Sequence, residues 1–277
     1  MLNQPFSSLK RKPEGNTLWK LSRRACKRVW LTAKLAKECE TQCKIDNKHL
    51  PLAISERGRG EDRNMRLGGA VFVDKNDLEV WAAAQVTAGY SAVFPPFGYE
   101  SDESRIRELQ AVCQRHNLLI AEVGAWSNPI SSDDATRNKA LEHCIKSLDF
   151  AERLGARCCV NIAGARGEQW DGPHPNNLTE ETFDLIVETT RAIIDSVKPK
   201  RTCYSLETMP WVFPDSPESY LRLLHAIDRP GQFGVHLDPV NIINSPQRYF
   251  ENGKFLRSCF EILAPHIVSC HAKDITL

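Results

Sequence analysis

From Met65 onward the chain alternates short apolar runs with amphipathic stretches, seven times over. The runs fall at 68–73, 90–94, 118–123, 157–162, 202–207, 233–238 and 267–271. They are nearly continuous in apolar residues and rich in β-branched ones, the pattern of strands buried on both faces. Between them, residues 77–88, 101–116, 133–154, 178–197, 216–227 and 247–263 show helical spacing. Asp77, Ser101 or Asp102, and Thr179 stand where N-caps belong. Parallel strands need a crossover of a dozen residues or more, usually a helix. The repeat therefore predicts an α/β fold with a parallel sheet.

Three of the runs end in groups with spare lone pairs. Run 202–207 closes on Glu207, run 233–238 on Asp238, and run 267–271 on His271, at spacings of 31 and 33 residues. One strand-plus-helix unit has about that length. Three successive parallel strands would each carry one such residue at the carboxyl end, where a barrel builds its active site. An open doubly wound sheet is the alternative, but such sheets gather ligands at a single switch crevice. A Glu, Asp and His set suits Mn, Co, Zn or Mg.

Charge divides the chain. Residues 1–64 hold 15 Lys/Arg against 7 Asp/Glu, whereas residues 65–277 hold 21 against 28. We read 1–64 as a basic N-terminal extension, flexible or partly helical over 18–45, with a polar linker at 58–64, and 65–277 as the domain. An acidic body is a poor footprint for nucleic acid. No run nears the ~20 apolar residues of a membrane span. The ten cysteines contain no CxxC, and Cys158, Cys159, Cys203 and Cys270 sit inside strand-like runs. They read as small buried hydrophobes in a reducing, cytoplasmic setting. Nothing in the sequence sets the oligomeric state, and a homo-oligomer is compatible with it.

Five motifs in order carry a resemblance: Leu67-Gly-Gly, Glu122-Val-Gly-Ala-Trp126, Ser205-Leu-Glu-Thr-Met209, His236-Leu-Asp-Pro-Val-Asn241 and Cys270-His-Ala-Lys-Asp274. Over 65–277 the chain resembles the sugar phosphate isomerase/epimerase superfamily of xylose isomerase-like TIM barrels. The resemblance implies a (β/α)8-type barrel and a single divalent metal. It also implies ligands Glu207, Asp238 and His271 from strands five to seven. The family's fourth ligand, a Glu on strand eight, would lie past Leu277, so the expectation is a barrel lacking its last strand-helix unit. Asn241 stands where many relatives place a second His.

The implied reaction is proton transfer between neighbouring carbons of a sugar or sugar phosphate through an enediolate. Glu207 would be both ligand and acid/base. With the strand-eight partner missing, the chain as written is expected to hold metal weakly and to transfer protons poorly. Two other readings stand beside this one: a non-catalytic barrel used for interaction, and an AP-endonuclease-like phosphodiesterase.

Further candidates for substrate contact follow from position. His236 precedes Asp238 by two and shares its strand face; it is either a core histidine or a substrate contact. Lys273 and Asp274 either bind a sugar hydroxyl or phosphate or pair with each other. Glu122 and Trp126 flank the end of the third run, with Trp126 able to stack on a sugar face. The long polar loop at 164–177 offers Arg166, Trp170 and His174.

Overall fold

The computed structural model describes residues 65–273. The expected extension over 1–64 and Asp274 lie outside the described residues. Within them, strands and helices alternate as the repeat predicts. The strands are β1 (Ala92–Val93), β2 (Leu119–Ile120), β3 (Glu122–Gly124), β4 (Cys158–Asn161), β5 (Tyr204–Glu207), β6 (Phe233–Leu237) and β7 (Ile267–Cys270). The helices are α1 (Leu78–Thr87), α2 (Glu103–Arg115), α3 (Asp134–Leu154), α4 (Glu180–Val197), α5 (Pro217–Ile227), α6 (Pro246–Phe250) and α7 (Asn252–Leu263).

Caps set most helix starts. Asp77, Asp102, Asp133 and Thr179 each accept a backbone N–H from the first turn of α1 to α4 in turn. Ser216 and Ser219 form a reciprocal box at the start of α5. Helix α3 stops at Gly155, whose φ of 71° closes it with a left-handed residue.

All strand pairs are parallel. β1 pairs with β2, while β3 to β7 form a row in sequence order. Ala121 joins the two sets, its N–H donating to Val93 O and its carbonyl accepting from Cys158 N. The third predicted strand is thus one chain segment that changes partner at its middle.

The sheet is curled, and one contact demonstrates it. β3 and β7 stand four steps apart in the row, a separation of roughly 19 Å in a flat sheet at ~4.8 Å per strand. Yet Ser269 Oγ on β7 donates a hydrogen bond to Glu122 Oε1 on β3. The inner face therefore closes on itself, and the helices lie outside. Tyr204, Leu206, Val235 and Leu237 point outward into the buried core against this helical layer.

Two predicted elements differ. The run at 68–73 is not a strand: only Gly68 bridges to Ala92, and Phe72 is 97% exposed. Among the described residues no second strand pairs with this segment, and a run bonded along one short stretch is not held extended. The predicted helix over 247–263 is broken into α6 and α7 at Glu251. Pro246 opens α6 behind the Ser245 cap, and that short helix buries no residue. In the loop after β4, Pro175–Leu178 forms a short 3-10 turn.

Candidate metal centre

The inner face of the curl collects acids and histidines from the start of β3 and from the carboxyl ends of β5, β6 and β7. Glu122 opens β3, Glu207 ends β5, His236 lies in β6 with Asp238 just after it, and His271 follows β7. Strand alternation turns His236 and Asp238 to the same side. Register sets His236 opposite both Glu207 on β5 and Ser269 on β7. The β6–β7 ladder shifts register between Val235 and His236.

All four central side chains are inaccessible: Glu122 is 3% exposed, Glu207 6%, His236 0% and Asp238 0%. Buried carboxylates need compensation, and the neighbours supply it. His271 stands among three carboxylates. Its Nε2 lies 3.2 Å from Glu122 Oε2; its Nδ1 lies 3.6 Å from Asp238 Oδ2 and 3.8 Å from Glu207 Oε1. Lys273 Nζ donates to Asp238 Oδ2 and lies 3.5 Å from Glu207 Oε1. Asn241 Nδ2 donates to the same Glu207 oxygen at 2.7 Å and to Thr208 O at 3.1 Å.

Protonation follows from this arrangement. Burial alone would lower His271, yet its contacts with Asp238, Glu122 and Glu207 win and push it up to about 11. Burial would raise Asp238, but His271 and Lys273 outweigh it and hold the carboxyl below its ordinary value. Burial likewise opposes ionisation of Glu122, and the hydrogen bond from His271 with the charges around it reverses the sign. His236 goes the other way. Its burial dominates and lowers it to about 4, so it is a neutral imidazole. The His236 ring packs edge-on against His271 at a centroid distance of 4.2 Å.

Two sets of donor atoms lie within 4.8 Å of one another: Glu207, Asp238 and His271, and Glu122, His236 and His271. Both use His271. A neutral imidazole has one lone pair, so a single ion chooses between them. The first set offers two carboxylates and the second only one. In addition, both Glu122 oxygens are already occupied, by Ser269 and His271. The first set is the better cation site. Within this set Asp238 Oδ1 is buried with no hydrogen-bond partner, as an acceptor that awaits a cation would be. Its oxygen and nitrogen donors fit Mn, Co, Zn or Mg.

The other predicted residues lie apart. Arg166 Nη1 donates to Ile130 O, and its backbone N–H donates to Asn177 Oδ1. His174 Nδ1 caps the 3-10 turn through Asn176 N at 3.3 Å. Trp170 is exposed. Among the described residues none of the three makes a hydrogen bond or ion pair to the cluster. Arg166 and His174 build the loop, a role their polarity alone could not reveal. Trp126 is 44% exposed, and its indole packs so closely over Gly124 that a Cβ there would sit 2.4 Å from Nε1. A cleft of about 340 Å³ beside it is lined by Phe94, Tyr99, Glu122, Trp126 and Phe150. A larger hollow of about 680 Å³ lies between the outer helices, at Phe183, Leu221 and Ile262, away from all these groups.

Ser269, Thr208 and Tyr220 are additions. Thr208 Oγ1 donates to Asp238 O and accepts from Asp238 N. Tyr220 reaches in from α5 and places its hydroxyl against Leu206 and Gly234 O and against Leu206 and His236 N. It clips β5 to β6 beside Glu207 and Asp238. Only the place of Thr208, directly after Glu207, offered a sequence signal.

A family model described as xylose isomerase-like TIM barrel matches residues 82–276. The chain belongs to this family. No curated protein matches it. Similar solved structures include the probable 3-DHS dehydratase AsbF of Bacillus anthracis, at 20% identity over 75% of this chain and 70% of that one, TM-score 0.55. The 3-keto-D-glucoside 4-epimerase YcjR of E. coli is similar at 12% identity over 76% and 80%, TM-score 0.56. D-psicose 3-epimerase of Clostridium cellulolyticum H10, solved with D-tagatose, is similar at 14% over 68% and 65%, TM-score 0.52. At these identities the likeness speaks for the fold. Among the described residues no helix is long and apolar enough to cross a membrane.

Proposed function

We propose that this chain carries a divalent-metal site for a small carbohydrate, of the kind that isomerises or epimerises at carbons next to a carbonyl. The observation that supports it is the convergence of Glu207, Asp238 and His271, with Asp238 Oδ1 buried and unpartnered. A bound divalent ion supplies Lewis-acid polarisation of carbonyl and hydroxyl oxygens. The chain's own groups do the rest.

Asn241 and Lys273 engage Glu207 through Oε1, and Oε2 carries no hydrogen bond among the described residues. That oxygen is the one placed to take a proton from a substrate carbon and return it. Lys273, half-exposed at the mouth, offers three N–H donors to a hydroxyl or phosphate oxygen. Trp126 offers an apolar ring face to the cleft that Glu122 also lines. Names of solved relatives add to this reading, since two of those cited are sugar epimerases.

The test is metal content and carbon-proton exchange on the purified chain. Stoichiometric Mn, Co, Zn or Mg is expected in the wild type and is lost in Glu207→Ala and His271→Ala. Ketoses and aldoses incubated in D2O should gain deuterium next to the carbonyl slowly, and only with the metal-loaded protein. A chain that binds no metal above background defeats the proposal.

A further inference from the structure

We infer that Glu122 is a positioning residue: it aims the lone pair of His271 Nδ1 into the Glu207–Asp238 pair by accepting the Nε2–H on the other side of the ring. The inference rests on the metal reading above. It goes beyond that reading in giving the third strand a task at a site whose ligands come from strands five to seven.

Four observations carry it. Glu122 Oε2 and His271 Nε2 are 3.2 Å apart, and the opposite ring nitrogen faces Asp238 and Glu207 at 3.6 and 3.8 Å. Acid, imidazole and donor pair therefore stand in line. In addition, the carboxylate is itself held: Ser269 Oγ, from the strand that carries His271, donates to its other oxygen. The two anchors on Glu122 come from positions 269 and 271, so the same strand that presents the imidazole also presents the clamp. Third, Glu122 is 3% exposed and both its oxygens are engaged by Ser269 and His271, so its carboxylate is committed to β7 and the residue after it. Finally, the His236 ring meets His271 edge-on at 82° and blocks the ring from tipping toward β6.

The chemistry gives the arrangement its value. A neutral imidazole has one N–H and one lone pair, so fixing the proton on one nitrogen fixes the lone pair on the other. A carboxylate behind a ligating histidine also makes the ring more basic and stops it rotating. Loss of such a partner generally weakens metal binding ~10–100-fold.

Zinc titration by calorimetry of the full chain, with Glu122→Leu, Glu122→Gln and Ser269→Ala, tests this. Glu122→Gln keeps an acceptor oxygen and is expected to stay within about tenfold of wild type, whereas Glu122→Leu falls ~10–100-fold. In 15N-histidine spectra of the zinc-loaded protein, His271 should be one Nε2–H form in the wild type and in Glu122→Gln. It should show a second form in Glu122→Leu.

A folded Glu122→Leu that binds zinc like the wild type and keeps a single His271 form overturns the inference while leaving the metal site standing. If Glu122→Leu does not fold, Ser269→Ala decides. That variant keeps the carboxylate but frees one oxygen, and weakening of about threefold or more is expected. Unchanged binding there overturns the inference. A wild type that binds no zinc removes the metal reading itself, and this inference with it.

Discussion

Metal binding at the Glu207–Asp238–His271 set should be linked to one proton, and the cause is visible in the apo cluster. Three carboxylates surround His271, whose imidazole is pushed up to about 11. At neutral pH the ring is thus an imidazolium with no lone pair to give. An ion that takes Nδ1 must displace that proton. Lys273 leaves Asp238 without deprotonating, so it adds none. Below the folded pKa of His271, each unit of pH then changes the binding free energy by ~1.36 kcal/mol, or tenfold in affinity.

The sign is that affinity rises with pH, by about 100-fold from pH 6 to pH 8. Calorimetry with Mn in buffers of different ionisation enthalpy measures the proton directly. Release of close to one proton per ion is expected at pH 7, and much less from His271→Ala where residual binding persists. Affinity that is flat between pH 6 and 8, with no proton released, would refute the reasoning, since His271 would then already be neutral among its three acids.

Three more expectations follow from the same contacts. Lys273→Met removes the ammonium that competes for Asp238 and Glu207; two pairs between a half-exposed lysine and buried carboxylates, taken at ~0.5–1 kcal/mol each, predict roughly tenfold tighter metal and a less stable apo protein, both read by a metal titration and a thermal melt. Tyr220→Phe keeps the buried ring but deletes the hydroxyl shared by β5 and β6, so chemical denaturation should show a loss of about 1–3 kcal/mol. For the metal-free protein, Glu122 and Asp238 are depressed and His271 is raised. Their stabilisation is full above the ordinary carboxylate range and disappears as pH falls through the lower folded values; that of His271 is full below ~6.5 and disappears as pH rises through its folded value. The contribution of these three groups should therefore be greatest between the ordinary carboxylate range and ~6.5, and melting temperatures that rise steadily toward pH 3 would contradict it.

What the sequence determined by itself was local. The apolar runs and the caps Asp77, Asp102, Asp133, Thr179 and Ser216 act within a few residues, so the helices begin where these side chains can reach their own first turn. Glu207, Asp238 and His271 were legible because each ends a run, and one strand-helix unit between them puts all three at the same end of a parallel sheet. Tertiary structure decided the rest. The run at 68–73 has strand-like residues, but a strand is made by its neighbours, and here only Gly68 finds one. Helical spacing over 247–263 did not disclose the break at Glu251. Arg166 and His174, site candidates by sequence, are placed by contacts the sequence does not show, to Ile130 O and from Asn176 N.

The curl is the deepest example. Glu122 and His271 lie 149 positions apart in the chain, and no periodicity links them. They meet because twisted parallel strands with helices packed outside bend the sheet until its third and seventh strands face each other. That closure is a property of the whole sheet, and no short stretch of sequence contains it.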